Sequence, residues 1–437
     1  MNQLLDHLDQ PAAWEAFLQH KRAKGHLTRR QDQALATFIE ARGYLEPAAA
    51  LRDGAFPLPT KRLVNKAGSG KKRVVYQFPD AATNVLKLLA HLLYRYDDRQ
   101  PPGCYSFRRG LSAHSAIRQL AATPGIDGLW CYKADVANYF NSIDIPTLLP
   151  ILGEVVGDDP ALLACLTGLL TADQAWHAGA VEHGPRGVMA GMPLAPFLAN
   201  LYLGGLDRQL ADRCPYARYS DDIIVFAPTR DEAEAVKQHI HGWLGAHGLA
   251  VNPAKERLTG PGQAWEFLGV AYQDGQIDLS RATRAKLKGK IRRKARALRR
   301  WMLRHDAAPE RAIGATIRVF NRKFFDGRGR DELNWSRWFF PLLTRPDSLH
   351  EMDLYLQQYL RWIPTGRHRP GNYRTSYDTL KALGYRSLVH EYHRYRAGRP
   401  AASPAAADAG HEGSPTAGQT PALPGLAGNT GLPDSAA

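Results

Sequence analysis

Apolar residues recur at helical spacing through the first fifty positions. Trp14, Phe17 and Leu18 form one stripe; Leu35, Phe38 and Ile39 form a second after a polar stretch. The spacing predicts two amphipathic helices. Pro57 and Pro59 predict an extended segment. Val74 to Phe78, VVYQF, then reads as a strand, and Ala81 to about Tyr96 as a helix. From about 129 to 275 strand-like runs (Leu129–Ala134, Ile223–Ala227, Phe267–Tyr272) alternate with helix-like ones (Thr147–Val156, Asp231–His247). Past 280 the pattern is helical. No internal repeat is visible.

Composition narrows the class. The chain has 437 residues with 57 Lys+Arg against 42 Asp+Glu, a net charge of +15, and 44% apolar residues. That is enough for two or three domains with a sizeable core. The longest apolar-looking stretch, Met192 to Leu206, is too short to span a membrane and is interrupted by Pro196 and Asn200. Asp6 and Asp9 argue against a signal peptide. Cys104, Cys131, Cys165 and Cys214 lie far apart with no CxxC, against a zinc site or a disulfide framework. The expectation is a cytoplasmic protein, away from membranes, with a polyanionic partner. The charge is concentrated: Arg281 to Arg304 holds twelve Lys/Arg and no acid, and Phe320, Phe324, Phe325, Trp335, Trp338 and Phe339 follow. Residues 398–437, rich in Ala, Pro, Gly and Ser and without aromatics, are expected to be a disordered tail.

Three acids stand out by their surroundings. Asp135 closes an apolar run, and Asp221 and Asp222 lie between Arg218-Tyr219-Ser220 and the apolar Ile223–Phe226. A tandem pair flanked by strand formers is expected in a hairpin turn. Adjacent carboxylates there repel, and a divalent cation relieves the repulsion. With Asp135 on a neighbouring strand end, the set would make a two-metal site. The competing readings are a solvated turn for Asp221-Asp222 and a helix N-cap for Asp135.

These residues resemble a family. Arg218 to Asp222 is similar to the YxDD box of reverse transcriptases, and Asp135-Val136-Ala137-Asn138-Tyr139-Phe140 to their first catalytic motif. Gly191 to Asn200, GMPLAPFLAN, resembles the motif that ends in Leu-Ala-Asn in bacterial members. Asn252 to Lys255 and Glu266-Phe267-Leu268-Gly269, the primer grip, follow in order. Upstream, Tyr105 to Gly110 and Lys66 to Arg73 resemble fingers motifs of group II intron-type enzymes.

The resemblance implies an α+β right-hand polymerase: a helical N-terminal segment over 1–55, fingers over 56–130, a palm of antiparallel sheet and helices over 131–275, and a helical basic thumb over 276–397. It implies an RNA-directed DNA polymerase that extends a DNA or RNA primer with dNTPs on an RNA template. Two Mg²⁺ ions, or Mn²⁺ in their place, would be held by Asp135, Asp221, Asp222 and the Val136 carbonyl. Phe140 falls where the family sets the residue under the incoming sugar, which favours deoxynucleotides; the alternative is that Tyr139 and Phe140 are both core. Lys71, Lys72 and Arg73 are candidates for the triphosphate. Gly191 and Pro193 would shape the backbone beside the nucleotide. Lys255, Phe267, Leu268, Gly269, Arg292, Arg293 and Arg296 are candidates for nucleic-acid contact. A departure is the Ala190-Gly191-Met192 stretch, which stands where group II members have Gln-Gly-Gly, so a nucleotide-placing side chain is absent.

Gly68 to Lys72 is not a P-loop, and His390-Glu391-Tyr392-His393 lacks the zinc-protease spacing. No Cys-rich nuclease segment and no RNase H-like acid cluster follows the basic helix. Among solitary bacterial enzymes of this kind, KKRVVYQF, the N-terminal helices and Leu383 to Val389 resemble the phage-defence-associated group, which implies a structured noncoding RNA template and an antiviral role. A retron or intron-derived enzyme, template-independent or protein-primed synthesis on the same palm, and a catalytically silent RNA-binding scaffold stay open. So does oligomeric state, a homo-oligomer included.

Overall fold

The N-terminal helices are built as their apolar spacing requires. In α1 (Pro11–Ala23) Trp14 and Phe17 are buried, and Trp14 stacks on Tyr44 at 4.9 Å while its indole donates to the Leu8 carbonyl at 2.8 Å. Helix α2 (Arg29–Glu40) opens on a Thr28–Gln31 capping box, and α3 (Leu45–Arg52) follows. The computed structural model describes residues 3–25, 27–65, 72–184, 186–326 and 334–398. Expectations for Lys66 to Lys71 and for the tail from 399 onward lie outside those residues. The chain divides into two compact units, one ending at Gln263 and one opening at Ala264.

The first unit contains two sheets. Strands β1 (Thr60–Asn65) and β2 (Lys72–Gln77) pair antiparallel, and α4 (Asp80–Leu92) and α5 (Ala113–Ala121) follow. Strand β3 (Trp130–Asp135) leads into the short α6 (Tyr139–Ser142), then α7 (Ile145–Val156) and α8 (Pro160–Thr171). The hairpin β4 (Gln174–His177) and β5 (Ala180–His183) completes a four-stranded sheet in the order β2-β1-β4-β5. After α9 (Ala195–Tyr202) and α10 (Gly204–Ala211) come β6 (Tyr216–Tyr219), β7 (Asp222–Ala227), α11 (Arg230–Ala246) and β8 (Arg257–Thr259). Strands β6-β7-β3-β8 form the second sheet, antiparallel throughout. Ile223 to Ala227 are all buried. This explains why β7 reads as an unbroken apolar run: it is an inner strand, flanked by β6 and β3 and packed against α11.

In the second unit β9 (Trp265–Phe267), β10 (Val270–Gln273) and β11 (Gln276–Leu279) pair antiparallel. The expected strand over Phe267–Tyr272 is therefore two strands: Leu268 and Gly269 take φ +47° and +91°, the left-handed values of a two-residue hairpin turn. Among the described residues β9, β10 and β11 form a sheet of their own. Helix α12 (Arg281–Arg304) is capped by the Ser280 hydroxyl, which accepts from Thr283 N. It buries Thr283, Leu287, Ile291, Ala295 and Met302 against α13 (Pro309–Asn321) and, beyond the short α14 (Trp335–Phe339), α15 (Asp347–Thr365). Helices α16 (Tyr377–Ala382) and α17 (Leu388–Ala397) close the unit. Buried Asp353 of α15 ties them down, accepting from Tyr385 OH at 2.7 Å, Ser387 Oγ at 2.6 Å and Leu388 N at 2.9 Å. The chain is α+β. No described helix is long and apolar enough to cross a membrane.

Candidate active site

Strand register sets the acids side by side. In the β3–β7 pair Asp135 lies opposite Asp222. The β6–β7 hairpin turns at Ser220-Asp221, and Val136 N donates to the Asp221 carbonyl at 2.9 Å. The structure thus brings Asp135, Asp221 and Asp222 to one end of the sheet. Asp135 ends a strand and caps no helix.

The turn carrying Asp221 is held from beneath. Ser220 takes φ +59°, a conformation that costs a non-glycine residue about 1–3 kcal/mol unless its surroundings fix it. Its N–H donates to the Ser106 hydroxyl at 2.8 Å, and its carbonyl accepts from Arg218 Nη1 at 3.1 Å. Arg218 and Asp207 are wholly buried and paired (Nη2–Oδ2 2.5 Å, Nε–Oδ1 2.8 Å). Tyr216 OH donates to the same Asp207 at 2.6 Å. Asn200, the last residue of GMPLAPFLAN, joins the parts: its Oδ1 accepts from Ser106 and Arg218, and its Nδ2 donates to the Ser106 carbonyl at 2.7 Å.

Two lysines face the carboxylates. Lys255 Nζ contacts Asp135 Oδ2, and Lys133 Nζ lies 3.5 Å from Asp222 Oδ1. Asn252 Nδ2 donates to Asp135 Oδ1 at 3.4 Å. Burial first, then the charges of Asp135 and Asp222, push the Asp221 carboxyl up to about 7. Burial also raises Asp222, against the pull of Lys133. Among the described residues no three His, Cys, Asp or Glu side chains stand at ligand spacing; here lysines neutralise Asp135 and Asp222. The donor set is nevertheless hard oxygen, and the crowding that raises the Asp221 carboxyl is what a divalent cation relieves.

Asn141 ties together the segments that carry the nucleotide-side candidates. Its Nδ2 donates to the Val74 carbonyl at 3.2 Å, and its Oδ1 accepts from Ala190 N at 2.9 Å, joining β2 to the 186–193 loop. Lys72 and Arg73 are exposed on β2. Gly191 has φ +105°, and a Cβ there would lie 2.7 Å from the Tyr76 carbonyl, so only glycine permits the approach. Pro193 is buried next in line. Phe140 and Tyr139 are both buried. Tyr139 donates to the Ala199 carbonyl, as a core tyrosine does, and the Phe140 carbonyl accepts from Val188 N at 2.8 Å.

Residues 64–272, which hold all of these side chains, match the family model for reverse transcriptase (RNA-dependent DNA polymerase). Those residues form a reverse transcriptase domain. The retron Mx65 reverse transcriptase of Myxococcus xanthus is 27% identical over 187 residues, 40% of this chain and 43% of that protein. The chain thus aligns with less than half the length of this curated relative. Among solved structures, apo telomerase from Candida tropicalis aligns with a TM-score of 0.44 at 11% identity, covering 78% of this chain and 60% of that one. Telomerase from Candida albicans in complex with the TWJ fragment of telomeric RNA aligns at 0.40 and 12%, covering 79% and 67%.

Within the reverse transcriptase domain Lys255 is neither a free surface lysine nor aimed at solvent phosphate: it pairs with Asp135. Phe267 is wholly buried in the second unit and pairs with Val270 across the Leu268-Gly269 turn, so its ring is not available there. The Gly269 carbonyl accepts from Ser280 N at 3.0 Å and Thr283 Oγ1 at 2.8 Å, anchoring that turn to α12. Arg292, Arg293 and Arg296 are exposed on α12. Ser106, Lys133, Asn200, Asp207 and Arg218 were not assigned from sequence. Lys133 had a signal, since two positions before Asp135 on a strand is the same face. Asp207 had none.

Proposed function

We propose that the chain is an RNA-directed DNA polymerase that extends a primer 3′-hydroxyl with dNTPs. The observation that carries this is the convergence of Asp135, Asp221 and Asp222 within a reverse transcriptase domain. Asp135, Asp221, Asp222 and the Val136 carbonyl would hold two Mg²⁺ ions, or Mn²⁺, which when bound supply the charge that activates the attacking hydroxyl and steadies the leaving pyrophosphate. Lys72 and Arg73, with Lys71, draw the triphosphate by charge. Phe140 leaves no room for a 2′-hydroxyl, and Gly191 and Pro193 shape the backbone along the nucleotide. The Phe267–Gly269 turn and the arginines Arg292, Arg293 and Arg296 meet template and primer phosphates, while Lys255 stays paired with Asp135. Residues 56–130, 131–275 and 276–397 serve as fingers, palm and thumb.

Purified chain given RNA template, primer, Mg²⁺ and dNTPs is expected to extend the primer, and Asp221→Ala and Asp222→Ala to abolish extension. Extension that survives either substitution overturns the reading. The resemblance of KKRVVYQF, the N-terminal helices and Leu383 to Val389 to the phage-defence-associated group favours a structured noncoding RNA as template, with the DNA product acting in defence against phage. Sequencing the RNA and DNA that co-purify from the native host tests this, and a template drawn at random from cellular RNA would contradict it.

A further inference from the structure

The stretch from Arg361 to Arg374, RWIPTGRHRPGNYR, holds four arginines and a histidine with no acid. None of the roles above uses it. It runs from the last turn of α15 into a 3₁₀ turn at Pro370–Arg374. The loop is fixed from inside: buried Asn372 donates through Nδ2 to the Arg367 carbonyl at 2.6 Å and accepts at Oδ1 from Thr365 Oγ1 at 3.0 Å.

Its aromatic rings are braced by cations. The Tyr373 side of the loop is open, with Tyr373 66% exposed. The Arg361 guanidinium lies 5.1 Å from the Tyr373 ring centre while its Nε donates to the Thr375 carbonyl at 3.0 Å. Arg299 of α12 covers Trp362 at 5.5 Å and backs onto Gly366, where a Cβ would come within 2.5 Å of the guanidinium. Exposed His368 packs edge-on against Tyr359 at 5.4 Å. Arg367, Arg369 and Arg374 are exposed around these rings. Helix α12, which carries exposed Arg292 and Arg296, packs along α15.

An open tyrosine ring set among cations is what unpaired nucleotides use: a base stacks on the ring while phosphates meet the arginines. A duplex hides its base faces and would use only the charge. An acidic protein surface would likewise leave the open Tyr373 ring unused.

We propose that residues 361–374, flanked by Arg292 and Arg296, form a binding face for single-stranded RNA, the unpaired part of the template. The identity of the strand rests on the polymerase reading; the face itself does not.

The test is fluorescence anisotropy on the full chain without dNTPs, using labelled oligouridylate and a blunt RNA–DNA hybrid. Tyr373→Ala is expected to weaken oligouridylate binding roughly tenfold, the loss of one stacked base, and to leave hybrid binding unchanged; Tyr373→Phe should bind like the parent. Combined Arg367→Ser, Arg369→Ser and Arg374→Ser should reduce the salt slope by about 2. Wild-type oligouridylate affinity in Tyr373→Ala, or equal weakening on oligouridylate and hybrid, overturns the proposal. So does a polyglutamate peptide whose binding falls with Tyr373→Ala as the RNA's does, which would make the face a protein dock. Tyr373-dependent binding in a chain that never extends a primer would sink the polymerase reading alone. Extension with Tyr373-independent binding would sink this one alone.

Discussion

The two units handle charge in opposite ways. In the first, Arg218 is entirely enclosed and each of its nitrogens donates to Asp207, Asn200 or Ser220. In the second, most of the α12 cations face outward, and Arg284 and Lys288 are answered by an acid of α15, Glu351. An enclosed charge fixes geometry, because every lone pair and proton must be matched. An exposed charge fixes nothing locally but sums over the surface into attraction for polyanions. The first unit should therefore fail abruptly when one group is removed, and the second should fade in steps that salt can imitate.

The largest effect should come from Arg218→Met, which leaves Asp207 buried without its cation; a loss of about 3–5 kcal/mol is expected in urea denaturation. Stability close to the parent would show that the enclosed network is not what holds the β6–β7 turn. Next, Ser106→Ala removes the acceptor for Ser220 N. It should destabilise by only about 1 kcal/mol yet reduce kcat well beyond what the folded fraction explains, with KM little changed. A parallel fall in stability and activity would make Ser106 merely structural.

The carboxylates were legible because Asp135 and Asp221-Asp222 abut apolar strands, a pattern that a solvated turn has no reason to keep. Their support was not legible. Ser106 and Asn200 are separated by 94 positions, and Asp207 lies in α10 outside every motif, so only the folded chain unites them. The helix over 281–304 was readable from its run of charge, whereas the Ser280 cap that opens it shows only in the fold. The 267–272 segment misled because Leu268 is an apolar residue in a left-handed turn position, where β-propensity gives no warning. The relief of α12 charge by Glu351 was equally hidden, since the acid sits in another helix.

Smaller effects sharpen the contrast. Phe140→Ala should raise ribonucleotide use relative to deoxynucleotide use by tenfold or so if the ring bars the 2′-hydroxyl, about 1.4 kcal/mol; unchanged selectivity in competition assays would return Phe140 to the core alongside Tyr139. Least of all, Arg292→Ser, Arg293→Ser and Arg296→Ser should each weaken duplex binding modestly, lowering the salt slope by about 1 apiece with unchanged thermal stability. Steep, non-additive losses would mean that α12 works like the enclosed network.

If the proposed function holds, the three acids at the end of the β3–β7 pair drive templated DNA synthesis. The most direct test is to give purified chain an RNA template of arbitrary sequence, a primer, Mg²⁺ and all dNTPs, and to sequence the product beside that of Asp135→Asn. DNA complementary to the template is expected from the parent and none from the variant. Product unrelated to the template, or equal synthesis by Asp135→Asn, would contradict it.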